Sequence, residues 1–319
     1  TSLVKSSSSP KISTPKHSIT SSKPYIAVGK IFSITNDIAT ECTGTLIGKA
    51  VVATSAECLA EWGGSVADQV WFIPAATNSF GENFGGPIGM WKAKKLYIPA
   101  CFTDGICEMN ESLPLYNNNI ALFTLKLKNG DTPVTRGATY LNYGWNDPGF
   151  FKSENFFEGV LKNAIVTTLG YPTTIGDKSS NTGGAMIKTD SVAAKISQGS
   201  PSFVSFNIYV WGSGQDSASG SAVIVNFGSK PFYSSSEYKG RFTTPNVIAG
   251  IQNSNVAQGF QNEQIAVGSI FGQNTSYPKK KYKDQSGSDW GAGNIGFLMR
   301  EICGDGYGNG QSNGICLNR

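Results

Sequence analysis

Two cysteines, Cys42 and Cys58, enclose two short β-branched runs, residues 43–47 and 51–54, separated by Gly48-Lys49. That is the pattern of a tight β-hairpin. A hairpin brings its outer ends together, so the two cysteines fall within disulfide reach, and the bridge fixes the corner Ser55-Ala56-Glu57. A chain built around such a stapled hairpin is committed early to antiparallel β structure.

The remaining sequence agrees. Gly is abundant at 38 residues, Ser, Thr and Asn recur throughout, and no long amphipathic helical period stands out. This is the profile of an all-β chain with many turns. At 319 residues and 39% apolar content the chain buries a full core in one large or two small domains. The net charge of +4 is small for this length and does not by itself argue for nucleic-acid or membrane binding. No apolar run approaches the ~20 residues that span a bilayer.

Six cysteines fall as near neighbours: Cys42 with Cys58, Cys101 with Cys107, and Cys303 with Cys316. Six cysteines allow about fifteen connectivities. The local pairing is the simplest, supported for the first pair by the hairpin and for the others by proximity alone. None has C-x-x-C spacing and the single histidine, His17, lies in a polar segment, so no metal and no cofactor is expected. An oxidising compartment, and hence a secreted product, fits better. The sequons at Asn110 and Asn274 are compatible with glycosylation.

Residues 1–22 are rich in Ser, Thr, Lys and Pro and read as a flexible arm, with a glycosylated or cleaved pro-segment as the alternative. From residue 23 the character changes. Residues 24–34, 68–75, 91–99 and 203–210 each read as a strand. Residues 295–302 suggest a short helix packing on the second half of the chain. The basic run at 279–283 is an ordinary solvated stretch or a contact for an anionic surface. Asp305-Gly306-Tyr307 only superficially suggests a calcium loop, because Tyr307 and Cys316 stand where oxygen ligands are needed.

The stretch Cys42-Thr43-Gly44-Thr45-Leu46-Ile47, continued by Val51-Val52-Ala53-Thr54-Ser55-Ala56-Glu57-Cys58, resembles trypsin-fold serine proteases. There the run is C-[ST]-G-T-L-I followed by V-V-L-T-A-A-H-C, and the His before the second Cys is the catalytic base. Glu57 stands at that position here. Residues 68–75 and 91–99 resemble the segments that follow this corner in the glutamyl endopeptidase-like branch. Asn119-Ile120-Ala121-Leu122 is similar to the strand entry after the catalytic Asp, which puts Asn119 in its place. Leu169-Gly170-Tyr171-Pro172 and Asn246 to Ile251 match further strands of that branch. Gly214 to Val225 is similar to G-x-S-G-[SG]-P-V, with Ser219 at the nucleophile position and Ser217 where a Gly supplies an oxyanion-hole donor.

The resemblance covers residues 23–271. It implies two six-stranded antiparallel β-barrels, the first over residues 23–149 with Glu57 and Asn119, the second over 150–273 with Ser219. A C-terminal extension, 274–319, would carry the short helix and a disulfide-closed tail.

Acyl transfer by serine needs a base that is neutral near pH 7. A glutamate of ordinary pKa, about 4.3, accepts a serine proton poorly. Asn119 is a neutral amide, and a non-Gly residue at 217 resists the backbone conformation that aims an oxyanion donor inward. In the plainest reading Glu57 is a half-exposed acid bonded to Ser219 or Asn119, and Ser219 a turn serine. Taken together, the replacements at two triad positions imply a catalytically inactive protease homologue that binds a protein or peptide in its cleft. The alternative is a hydrolase using Ser219 and Glu57 at acid pH. A matrix component is suggested only by the arm and the basic tail.

Overall fold

The computed structural model describes residues 11–77, 85–105, 109–110, 115–116, 119–143, 164–172, 185–200, 203–210, 219–228, 245–253, 256–259 and 294–303. The chain opens with β1 (Lys11–Ser13) and one turn of helix, α1 (His17–Thr20). Strands β2 (Val28–Thr35) and β3 (Ile38–Leu46) are joined by Asn36-Asp37, whose φ angles are 49° and 63°. A two-residue hairpin turn whose twist matches its strands needs positive φ at both positions, and Asn and Asp tolerate it best after Gly.

Next come β4 (Val51–Thr54), β5 (Gln69–Pro74), β6 (Trp91–Tyr97) and a single helical turn, α2 (Ala100–Thr103). A minimal hairpin of β7 (Met109–Asn110) and β8 (Leu115–Tyr116) precedes β9 (Ala121–Leu125). The pairing order β2-β3-β4-β9-β6-β5 closes on itself as a six-stranded barrel. Closure leaves no unpaired strand edge. β3 and β4 pair through Thr45 with Ala53 and Leu46 with Val52, and Ile47 N–H donates to Val51 O at 2.9 Å. The connection is therefore residues 47–50, wider than the Gly48-Lys49 turn expected from sequence.

The second half contains β10 (Asn142–Tyr143), β11 (Ala164–Gly170), β12 (Ile187–Ser200), β13 (Phe203–Val210), β14 (Ala222–Val225), β15 (Val247–Asn253) and β16 (Val256–Gly259). β12 pairs with β11 along its first half and with β13 along its second, from Ala193 to Ser200. One long strand thereby serves two neighbours. β13 pairs β16, β16 pairs β15, β15 pairs β14 and β14 pairs β11, so the second sheet also forms a ring. This is the two-barrel, all-β fold expected from sequence.

Two further expectations change. Within the segment read as a flexible arm, β1 pairs antiparallel with β12, Lys11 opposite Asp190 and Ser13 opposite Lys188, and Thr20 of α1 is buried. A short polar segment is held here because β12 offers it a ladder of backbone partners. The C-terminal helix forms as α3 (Asn294–Cys303), but among the described residues its main packing is on β9 of the first barrel, where the second was expected. Its buried residues, Ile295, Leu298, Met299 and Cys303, recur at helical spacing and join the continuous core that runs through both barrels.

Candidate functional site

β4 ends at Thr54, and the chain turns through Ser55 into one turn of 3-10 helix, Ala56–Cys58. The Cys42–Cys58 disulfide forms as expected, with the two Cα atoms 6.0 Å apart. The corner carrying Glu57 is therefore tied to β3. Asn119 lies two residues before β9, which pairs with β4, and it is fully buried.

Glu57 and Asn119 meet through two hydrogen bonds. The Glu57 backbone N–H donates to Asn119 Oδ1 at 3.1 Å, and Asn119 Nδ2 donates to Glu57 Oε2 at 3.2 Å. The backbone N–H needs an acceptor and the carboxylate needs a donor. A primary amide supplies both at once, which an ionised aspartate cannot. The two side chains are therefore chemically complementary.

Ser219 enters from the second barrel. Its carbonyl accepts the Thr43 backbone N–H at 2.8 Å. Gly220, with φ +87°, lies so close to the first barrel that a Cβ there would fall 2.1 Å from Thr43 O and 2.3 Å from Thr54 Oγ1. Only glycine permits both that backbone conformation and that approach. Gly220 N–H donates to Gln252 O at 3.1 Å, and Gln252 N–H donates to Ser221 O at 2.7 Å, which seats the segment on β15.

Thr43 is the node that sequence reasoning missed. Besides holding Ser219, its Oγ1 accepts the Tyr171 N–H at 2.8 Å and its carbonyl accepts Thr54 Oγ1–H at 2.8 Å. Ser219 is thus placed at the end of β4 from which the Glu57 corner departs. Among the described residues no hydrogen bond joins Ser219 to Glu57 or Asn119. Ser217 lies outside the described residues.

Behind Thr43, the fully buried Lys30 of β2 pairs with Glu41 at 2.8 Å, and its Nζ lies 5.9 Å from the centroid of the Tyr171 ring. Burial pushes the Tyr171 hydroxyl well above the ordinary phenol range. The sequence held one hint of this layer. Lys30 interrupts the apolar run of β2 at a position that register places opposite Thr43, on the face turned toward Tyr171.

His17 is exposed on α1, with its described side-chain contact to Ser21 Oγ at 3.4 Å. Cys303 is disulfide-bonded. Cys107, Cys316 and Asn274 lie outside the described residues, and only the backbone of Cys101 and Asn110 is described. Among the described residues no group of three or more His, Cys, Asp or Glu is placed to hold a metal ion, and no helix is long and apolar enough to cross a membrane.

No protein-family model matches the chain, and no curated protein matches it. Solved structures do show similarity. A thermostable serine protease, AL20, from an extremophilic microorganism is 18% identical with a TM-score of 0.48, covering 73% of this chain and 90% of that one. The protease Anisep from Arthrobacter nicotinovorans is 19% identical, TM-score 0.44, covering 79% and 93%. A Glu endopeptidase in complex with MPD is 16% identical, TM-score 0.47, covering 78% and 89%. At such identities and scores the likeness is one of overall similarity, and the fold stands on the strand pairings themselves.

Proposed function

We propose that this protein is a catalytically inactive homologue of serine proteases that binds a protein or peptide at the junction of its two barrels. The observation that carries the reading is the reciprocal bonding of Glu57 and Asn119. A carboxylate that accepts from an amide on a stapled corner is already engaged as an acceptor, which argues against a base poised to take a serine proton. Two packed barrels leave a rigid platform whose loops bind without cleaving. The Cys42–Cys58 bridge supports a life in an oxidising, extracellular compartment.

The test is to incubate the intact protein with an unfolded substrate protein and a peptide mixture across about pH 3 to 8, with products read by mass spectrometry, beside peptide display on the immobilised chain. Enriched peptides without cleavage are expected. Cleavage that disappears in Ser219→Ala would overturn the proposal in favour of an acid-active Ser219 and Glu57 pair.

A further inference from the structure

β6 and the segment that follows β9 present Lys92, Lys94, Lys95, Lys126 and Lys128, all exposed. Residues 85–98 and 119–130 hold these five lysines and no acid, more positive charge than the net +4 of the whole chain. The two segments touch. Lys126 N–H donates to Lys92 O at 2.8 Å, and Lys128 Nζ lies 4.7 Å from the centroid of the Trp91 ring. The small net charge of the chain therefore conceals a local basic flank on the first barrel.

The flank has the marks of a built surface. The register of β6 against β9 shifts between Ala93 and Lys95, and this bulge leaves Lys94 and Lys95 both exposed where strict alternation would turn one inward. Three lysine heads rest over aromatic rings: Lys128 on Trp91, Lys92 on Trp71 at 5.4 Å and Lys95 on Tyr97 at 4.7 Å. A cation over a ring keeps its charge while losing freedom, which lowers the entropy cost of docking. Glu301 of α3 borders the flank at its Lys95 end, where, after burial, it helps push the Tyr97 hydroxyl up.

Two large apolar side chains protrude among these charges. Leu127, between Lys126 and Lys128, is 40% exposed, and Met90, beside Trp91, is 43% exposed. A soluble polyanion needs only the lysines. Lysines interleaved with protruding apolar groups match a surface that is anionic outside and apolar just beneath. We propose that this flank docks on membrane surfaces rich in anionic lipid, the lysines on the headgroups and Met90 and Leu127 entering the interfacial layer. The proposal is independent of what the barrel junction binds.

The test is co-sedimentation of the intact protein with phosphatidylcholine vesicles, with and without about 30% phosphatidylserine, at about 0.1 M salt. Binding is expected only with phosphatidylserine present. Each lysine removed should weaken it about five-fold, so Lys94→Gln with Lys126→Gln should weaken it about 25-fold. Leu127→Ser should weaken it further, and Lys16→Gln should leave it unchanged. Circular dichroism establishes that each variant is folded. Absence of vesicle binding by the parent, equal binding by the double variant, or retention on soluble heparin without vesicle binding would each overturn the proposal.

Discussion

Replacing Asn119 by Asp puts the complementarity of Asn119 and Glu57 to a quantitative test. The substitution removes the donor that now sits 3.2 Å from Glu57 Oε2 and puts a second carboxylate there. At that distance two unit charges in an effective dielectric of ~20 repel by about 5 kcal/mol. The pair escapes by holding one proton, which at pH 7 costs about 4 kcal/mol for a carboxyl of ordinary pKa. The smaller figure is the ceiling, and the partial exposure of Glu57 screens it further. Asn119→Asp should therefore destabilise the chain by about 2 to 4 kcal/mol at pH 7.

The sign with pH follows from the same pair. The folded variant holds a proton more tightly than its unfolded chain, so the deficit is absent below the ordinary carboxyl range and grows as pH rises through it. Urea unfolding of parent and variant at about pH 4 and pH 7 measures this directly. A second change, Glu57→Gln in the Asn119→Asp background, restores one amide and one carboxylate with their roles exchanged, and should recover more than half of the loss. A variant as stable as the parent at pH 7, or a loss that the second change fails to relieve, would refute the reasoning.

Gly220→Ala must bring a methyl group to 2.1 Å from Thr43 O at a φ of +87°. A loss of more than about 3 kcal/mol is expected, read as a fall in thermal midpoint. Lys30→Met leaves Glu41 without its ammonium at a mostly buried site and should cost about 2 to 4 kcal/mol, most of it regained when Glu41→Gln is added. The Tyr171 hydroxyl, raised by burial, stays protonated in the folded chain while unfolded phenols ionise near pH 10. Stability should thus fall above about pH 10 by up to about 1.4 kcal/mol per pH unit, and Tyr171→Phe should remove that contribution while costing little at neutral pH.

The stapled hairpin and most strands of both barrels were legible because each rests on local pattern. Alternating apolar residues fix the faces of a strand, and two cysteines around a hairpin fix its bridge. What escaped notice depends on distant partners. β12, at 14 residues the longest strand among the described residues, carries polar residues such as Lys188, Thr189 and Asp190 that hide its alternation. β1 is a strand only because β12 lends it an edge. The Asn36-Asp37 turn had a local signal that went unread. The helix α3 was placed on the wrong barrel because its apolar face does not say which surface it meets. Thr43 looks like any β-branched residue, and its role as the joint between barrels exists only once Tyr171 and Ser219 arrive from far along the chain.

The same limit applied to Glu57 and Asn119. A bond from Glu57 to Asn119 was one of two readings open in the sequence, and its reciprocal form was not legible there. Their hydrogen bonds make them one unit, and that is a statement about two residues 62 positions apart.

The most direct measurement is labelling of the intact protein by a fluorophosphonate probe from about pH 3 to 8, with the modified residue located by mass spectrometry. If Glu57 serves only as an acceptor for Asn119, as proposed, no labelling of Ser219 is the predicted result at any pH. Stoichiometric labelling of Ser219 that is lost in Glu57→Gln would contradict the account.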